Sequence, residues 1–172
     1  MKNRKAIFLL VIILLIIQGC ASPTENKKDT KQNVYITAEI ASGLPQKEME
    51  YQTVSDFLNA FYNFDYKHDK QTCLQKNKQL VTDKLYEFIQ RDILLNYSEQ
   101  NMSILTALKI EGYEQTSPTS AKIKVDMYYK GTSTHGFSFE EIKADHLQGT
   151  VEIVNNNNKW LVNNLDIVNL SM

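Results

Sequence analysis

Residues 149–170 read GTVEIVNNNNKWLVNNLDIVNL. Runs rich in Val, Ile and Leu flank four consecutive asparagines, Asn155 to Asn158. Asparagine tolerates the left-handed backbone that tight turns need, so the stretch predicts a β-hairpin. One strand runs from Leu147 to Val154, and Trp160 to Leu170 closes the sheet. Upstream, residues 121–130 alternate strictly: Ile123, Val125, Met127 and Tyr129 fall on one face, and Lys122, Lys124, Asp126 and Tyr128 on the other. That is the period of a half-buried strand. Ser117-Pro118-Thr119-Ser120 marks a turn before it, and Ile104 to Tyr113 predicts a further strand, broken by Gly112.

North of the strands the period changes. From Gln46 onward, Tyr51, Val54, Leu58, Phe61, Tyr62 and Asp65 recur at helical spacing, with Phe57 widening the stripe. This predicts an amphipathic helix of about twenty residues with an aromatic buried side. Residues 67–78 are polar and predict a short helix or a linker. Thr82 is placed to cap another helix, with Asp83 in its first turn and Leu85, Phe88, Ile89 and Asp92 at helical spacing, extended by Ile93-Leu94-Leu95. Helices followed by antiparallel strands define an α+β domain over residues 46–172: N-terminal helices packed on a curved antiparallel sheet. No internal repeat is visible.

The chain has 172 residues, formal net charge −1, 42% apolar and 23% charged residues. That balance suits one globular domain and excludes a wholly disordered chain, a collagen-like repeat or a disulfide scaffold. Lys2, Arg4 and Lys5 lie in the first nineteen residues with no acid, so the remainder is mildly acidic. It lacks the basic footprint of a nucleic-acid binder.

Those first residues form an address. Met1 to Lys5 is basic, Ala6 to Ile17 is an unbroken apolar run, and Gln18-Gly19-Cys20 follows. Twelve helical residues reach about 18 Å, short of a hydrocarbon core of about 30 Å, so residues 1–19 predict a secretory signal. Ile17-Gln18-Gly19-Cys20 resembles the lipobox of bacterial lipoproteins. The resemblance implies cleavage between Gly19 and Cys20 and a diacylglycerol group on the Cys20 thiol. Gln18 is bulkier than the residue usual there. The chain is thus expected at the extracytoplasmic face of the cell membrane, held by lipid. Residues 20–45 are expected to form the lipidated N-terminus and a flexible linker, with an r.m.s. span of about 25–30 Å over 21–45. Cys73 is then the one thiol left, expected buried and inert. The N-x-[ST] patterns at Asn96, Asn101 and Asn169 carry little weight in a bacterial host.

A long N-terminal helix, a shorter helical section and a meander of strands ending in Lys159-Trp160-Leu161-Val162 resemble the cone-shaped nuclear transport factor two-like fold. A cystatin-like sheet over one helix is the rival, and the helix at 82–92 favours the cone. Enzymes of the cone fold use acid, His and Tyr side chains, so Tyr62, Asp65, His68 and Asp69 are the cluster to test. Asp65 and His68, three apart on a helix, suit an orienter–base pair, but a helix end more often faces solvent. His68 with Cys73 and Asp145 with His146 are the close pairings for a metal, with His135 standing apart. They do not define a tetrahedral site, and neither metal nor cofactor is expected. Nucleotide and acyl-transfer motifs are absent from the sequence.

The connection Gly131 to Asp145 (GTSTHGFSFEEIKAD) carries Phe137, Phe139 and Ile142. Phe137 and Phe139 are candidates for a partner-binding loop, weighed against an edge strand plugging the core. Tyr113, Tyr128 and Tyr129 offer an aromatic sheet face. Together with the lipobox, the cone-like order resembles assembly factors of type IV secretion channels in conjugative elements. That resemblance implies a non-catalytic role through self-association and binding to other membrane or channel proteins, although most of that family keep a transmembrane helix. The alternatives are a small-molecule-binding or enzymatic cone, and an immunity or exclusion lipoprotein. A scaffold predicts a filled cone and an apolar patch on the sheet face; a ligand-binding cone predicts a pocket with convergent polar groups. The released fragment Ile12 to Gly19 has the apolar character of a mating pheromone, as does almost any signal peptide.

Overall fold

A computed structural model describes residues 35–95, 100–133 and 142–171. Asn33–Met172 forms one unit. The signal, the lipobox and residues 21–34 lie outside the described residues. In chain order the elements are β1 (Glu39–Ile40), α1 (Glu48–Tyr62), β2 (Phe64–Asp65), α2 (Tyr66–Lys78) and α3 (Asp83–Leu95). The long strands β3 (Gln100–Ser117), β4 (Ser120–Ser133), β5 (Asp145–Asn156) and β6 (Lys159–Asn169) follow. The sheet order is β1-β3-β4-β5-β6, with β2 also paired to β3. This is the expected α+β architecture, with a curved and unclosed sheet. The long strands pair antiparallel, whereas β1 runs parallel to β3.

Why the sheet can wrap a helix is visible in the register of β3 against β4. β3 has 18 residues and β4 has 14, and register shifts set Asn101, Thr106, Glu111 and Thr116 apart as unmatched residues on β3. Each extra residue reverses which parity faces inward. Ser103 and Leu105 face the core, then Leu108 and Ile110, then Tyr113. The broken alternation in the sequence from Ile104 to Tyr113 is therefore not a weak strand but one strand in three phases. Gly112 sits beside one shift without ending the pairing.

α1 lies against the inner face. Glu48 and Glu50 in its first turn complement the helix dipole. Val54, Phe57 and Leu58 are fully buried and meet a sheet face built from Leu105, Ile110, Ile123, Val125, Met127, Val151 and Ile153. Phe57 stacks on Phe61 at 5.6 Å between ring centres. Fully burying one such side chain contributes about 2–3 kcal/mol.

The helix is shorter than the spacing predicts. It stops at Tyr62, where Asn63 caps it by donating its backbone N–H to the Asn59 carbonyl. The Asn63 side-chain oxygen accepts the Leu105 N–H at 2.6 Å, which diverts the chain into β2. The polar stretch 67–78 is helix rather than linker. In α3, Thr82 caps through Oγ1 to the Leu85 N–H at 3.5 Å, and Leu85 and Ile89 are buried as the spacing predicts. Phe88 is 54% exposed instead, with the Arg91 guanidinium over its ring.

Residues 35–44, read from sequence as part of the linker, are packed on the body. Asn59 explains it. Its Nδ2 donates to the Ile36 carbonyl at 2.9 Å and its Oδ1 accepts the Ile36 N–H at 2.8 Å, so one side-chain amide pairs with the backbone as a strand would. Tyr35 adds bonds from its hydroxyl to Asp56 Oδ1 at 2.8 Å and Ser55 Oγ at 3.3 Å. Ile36, Ala38 and Leu44 then pack against the core.

Candidate interaction surface

The outward residues of β4 and β5 meet in a cross-strand cluster. Tyr128 pairs with His146, and Asp126 with Gln148. His146 Nε2 lies 2.7 Å from Asp126 Oδ2, and Gln148 Nε2 donates to the same oxygen at 2.5 Å. The Tyr128 and His146 rings stack 4.4 Å apart and 3° from parallel. Burial pushes the Asp126 carboxyl up, but the Gln148 and His146 bonds and the charges of His146 and Lys109 outweigh it and hold it below the usual range. The strand end clasps the same residue. The His146 N–H donates to Ser171 Oγ at 2.6 Å, and its carbonyl accepts the Leu170 N–H at 2.8 Å.

The result is a rigid aromatic platform on the sheet's outer face. Tyr128 is 39% exposed, and Val168 and Leu170 beside it are 54% and 48% exposed. An imidazole fixed by a carboxylate and stacked on a phenol presents one flat ring surface at low entropic cost, which suits binding. The opposite face of the sheet is filled by α1.

Sequence reasoning placed some of these residues and missed others. Asp145 and His146 do not converge: adjacent strand residues point to opposite faces. Asp145 instead acts on the inward Tyr129, whose hydroxyl is pushed up by burial and then by the Asp145 charge and hydrogen bond. The true partner of His146, Asp126, lies 20 residues away. The signal for it was the single acid in the outward set Lys122, Lys124, Asp126 and Tyr128, but the register was needed to use it. Asp65 and His68 do not share a helix face either, because Asp65 belongs to β2 and pairs with Met102 while His68 lies in α2. Tyr62 packs against Phe61 and Tyr129. Cys73 is buried and its thiol lies 3.5 Å from the Ala60 carbonyl.

Gly19, Cys20, His135, Phe137 and Phe139 lie outside the described residues. Among the described residues no cluster of three or more His, Cys, Asp and Glu is arranged for a metal, and no helix is long and apolar enough to cross a membrane. A shallow groove of about 310 Å³ runs between Tyr35, Asp56, Asn59, Lys76 and Leu80, outside the helix–sheet interior.

No family model and no curated protein matches the sequence. Solved structures do resemble the fold. One is an NTF2-like protein involved in plasmid conjugation, with 14% identity over 68% of this chain and a TM-score of 0.46. This chain spans 46% of that protein's length. Another is the intermembrane space region of the chloroplast protein ARC6, with 8% identity, 73% of this chain and 99% of that one covered, and a TM-score of 0.50. A third is an IcmL-like type IV secretion system protein from Legionella pneumophila, with 14% identity, 76% and 97% covered, and a TM-score of 0.47. At these identities the likeness is one of fold.

Proposed function

We propose that this chain is a lipid-anchored extracytoplasmic protein that acts without catalysis, as an interaction and assembly component of a conjugative type IV secretion channel. The observation that carries the interaction role is the contrast across one sheet. The interior under α1 is filled by Phe57, Leu58, Ile110, Ile123 and Met127, none of them exposed. The outer face meanwhile offers the Tyr128–His146 platform with Val168 and Leu170. A filled cone with an apolar patch on its sheet is the form expected of a scaffold. The anchor rests on Gly19-Cys20 at the end of a complete signal, and two acyl chains suffice for stable attachment. The channel rests on the sequence resemblance.

Cross-linking in living cells with the tagged full chain tests the reading, with captured proteins identified by mass spectrometry. Cys20→Ala is expected to lose lipid and membrane retention, and channel components are expected among the proteins captured by the parent only. Capture of abundant membrane proteins alone overturns the assembly role. Retention of Cys20→Ala at the membrane overturns the anchor.

A further inference from the structure

The two edges of the sheet are treated differently. Between Met102 and Ile110 the outer edge of β3 is occupied: β1 pairs at Lys109 and Ile110, β2 pairs at Met102 and Ser103, and Asn63 takes the Leu105 N–H between them. The outer edge of β6 is closed at one point. There Val162 donates to the Leu80 carbonyl and accepts from the Thr82 N–H, both at 2.9 Å. Past the register shift at Asn163 the edge opens.

The pairing fixes which groups face outward. The His146 carbonyl accepts the Leu170 N–H, so the even-numbered residues of β5 turn their backbone groups toward β6. Leu165, Ile167 and Asn169 stand opposite Val151, Gly149 and Leu147, so their N–H and C=O groups point away from β5. Among the described residues none bonds this stretch of edge. It carries apolar side chains on both faces. Leu165 and Ile167 face the core yet are only partly buried, and Val168 and Leu170 are exposed on the other side. The stretch LDIVNL has one charge, Asp166, and neither the lysine nor the proline that commonly blunts an exposed edge.

We propose that β6 pairs antiparallel with β6 of a second copy, about a two-fold axis through Ile167, joining two sheets into one. The open groups match themselves under that rotation: Ile167 faces Ile167 of the second copy, and Leu165 faces its Asn169. All three outward residues are then satisfied, as an isologous interface requires. Asp166 falls opposite Val168 of the second copy, so no like charges oppose each other. The inference is independent of the lipid anchor.

Four substitutions in the full chain, purified from whole cells in detergent, test it. Ile167→Cys places two thiols on residues whose Cα atoms are about 5.5 Å apart in a hydrogen-bonded pair, within disulfide range. Mild oxidation is expected to give a covalent dimer, while Asn164→Cys on the same strand, out of register, gives none. Val168→Asp opposes acid to acid twice and is expected to weaken the dimer at least tenfold by light scattering, whereas Val168→Lys pairs with Asp166 and retains it. Val168 is exposed, so both variants should fold. A monomeric parent with no Ile167→Cys cross-link overturns the proposal. So does a dimer indifferent to Val168→Asp, or an Ile167→Cys cross-link to a different protein, which assigns the edge to a foreign strand.

Discussion

On the inner face of the sheet, Ile110, Ile123, Val125, Met127 and Val151 are at most 2% exposed. One residue along each strand, the outer face carries Lys109, Lys124, Asp126, Gln148 and Thr150 instead. The same backbone supports both. Inside, each side chain is fixed by volume, because a vacated space keeps its cavity. Outside, residues act through pairs whose loss water largely makes good. The difference teaches where this molecule is intolerant and where it is free to acquire partners.

The sharpest test of the inner face is Phe57→Ala, which is expected to cost about 4 kcal/mol and is read by urea unfolding. Gly149→Ala would break a simple equation of importance with side-chain size. An added Cβ there meets the Asp166 carbonyl oxygen and lies 2.6 Å from Ile167 Cδ1 and 2.8 Å from Ile167 Cα, on the neighbouring strand. The expected loss is about 3 kcal/mol, with β5 and β6 forced apart. Asn59→Ala removes the strap on residues 35–44 and leaves the Ile36 backbone without its amide partner. It should cost about 2 kcal/mol and speed proteolysis near Tyr35. The smallest effect belongs to the outer face. Asp126 titrates lower in the folded state than when unfolded, so its contribution is present above about pH 4 and fades as pH falls through the folded value. The gap in stability between the parent and Asp126→Asn at pH 6, about 1 kcal/mol or less, is therefore expected to close in acid unfolding.

Much of the framework was legible because local rules agreed with the fold. The hairpin at 155–158 needed left-handed residues, and Asn157 and Asn158 have φ of 51° and 65°. The strict alternation of 121–130 corresponds to a central strand with no unmatched residue of its own in its pairing with β3 and β5. What escaped was set by contacts far apart in sequence. Asn59 and Ser55 read as the polar side of a helix, yet Asn59 recruits residues 35–38 from upstream. Asn63 reads as one more helical residue, yet its bond to Leu105 across 42 positions ends the helix. The platform needed the β4–β5 register, which the long connection from 134 to 144 does not specify. Among the described residues two buried polar atoms make no hydrogen bond, the Tyr113 hydroxyl and Asn77 Oδ1, although the Asn77 Nδ2 donates to the Cys73 carbonyl at 2.9 Å.

Thr106 and Glu111 are exposed, and neither contributes to the core. Almost any residue should serve at either position. Removing one is a different matter: without Thr106 the parity of 107–110 would reverse, sending Leu108 and Ile110 to solvent and Lys109 inward, and without Glu111 the same would happen to Tyr113. Their side chains make only exposed bonds, Thr106 Oγ1 to the Tyr128 carbonyl and Glu111 to Lys109, so what the two positions chiefly supply is length. Across descendants of this chain they should vary freely in spelling while resisting deletion, as a spacer does in a ruler.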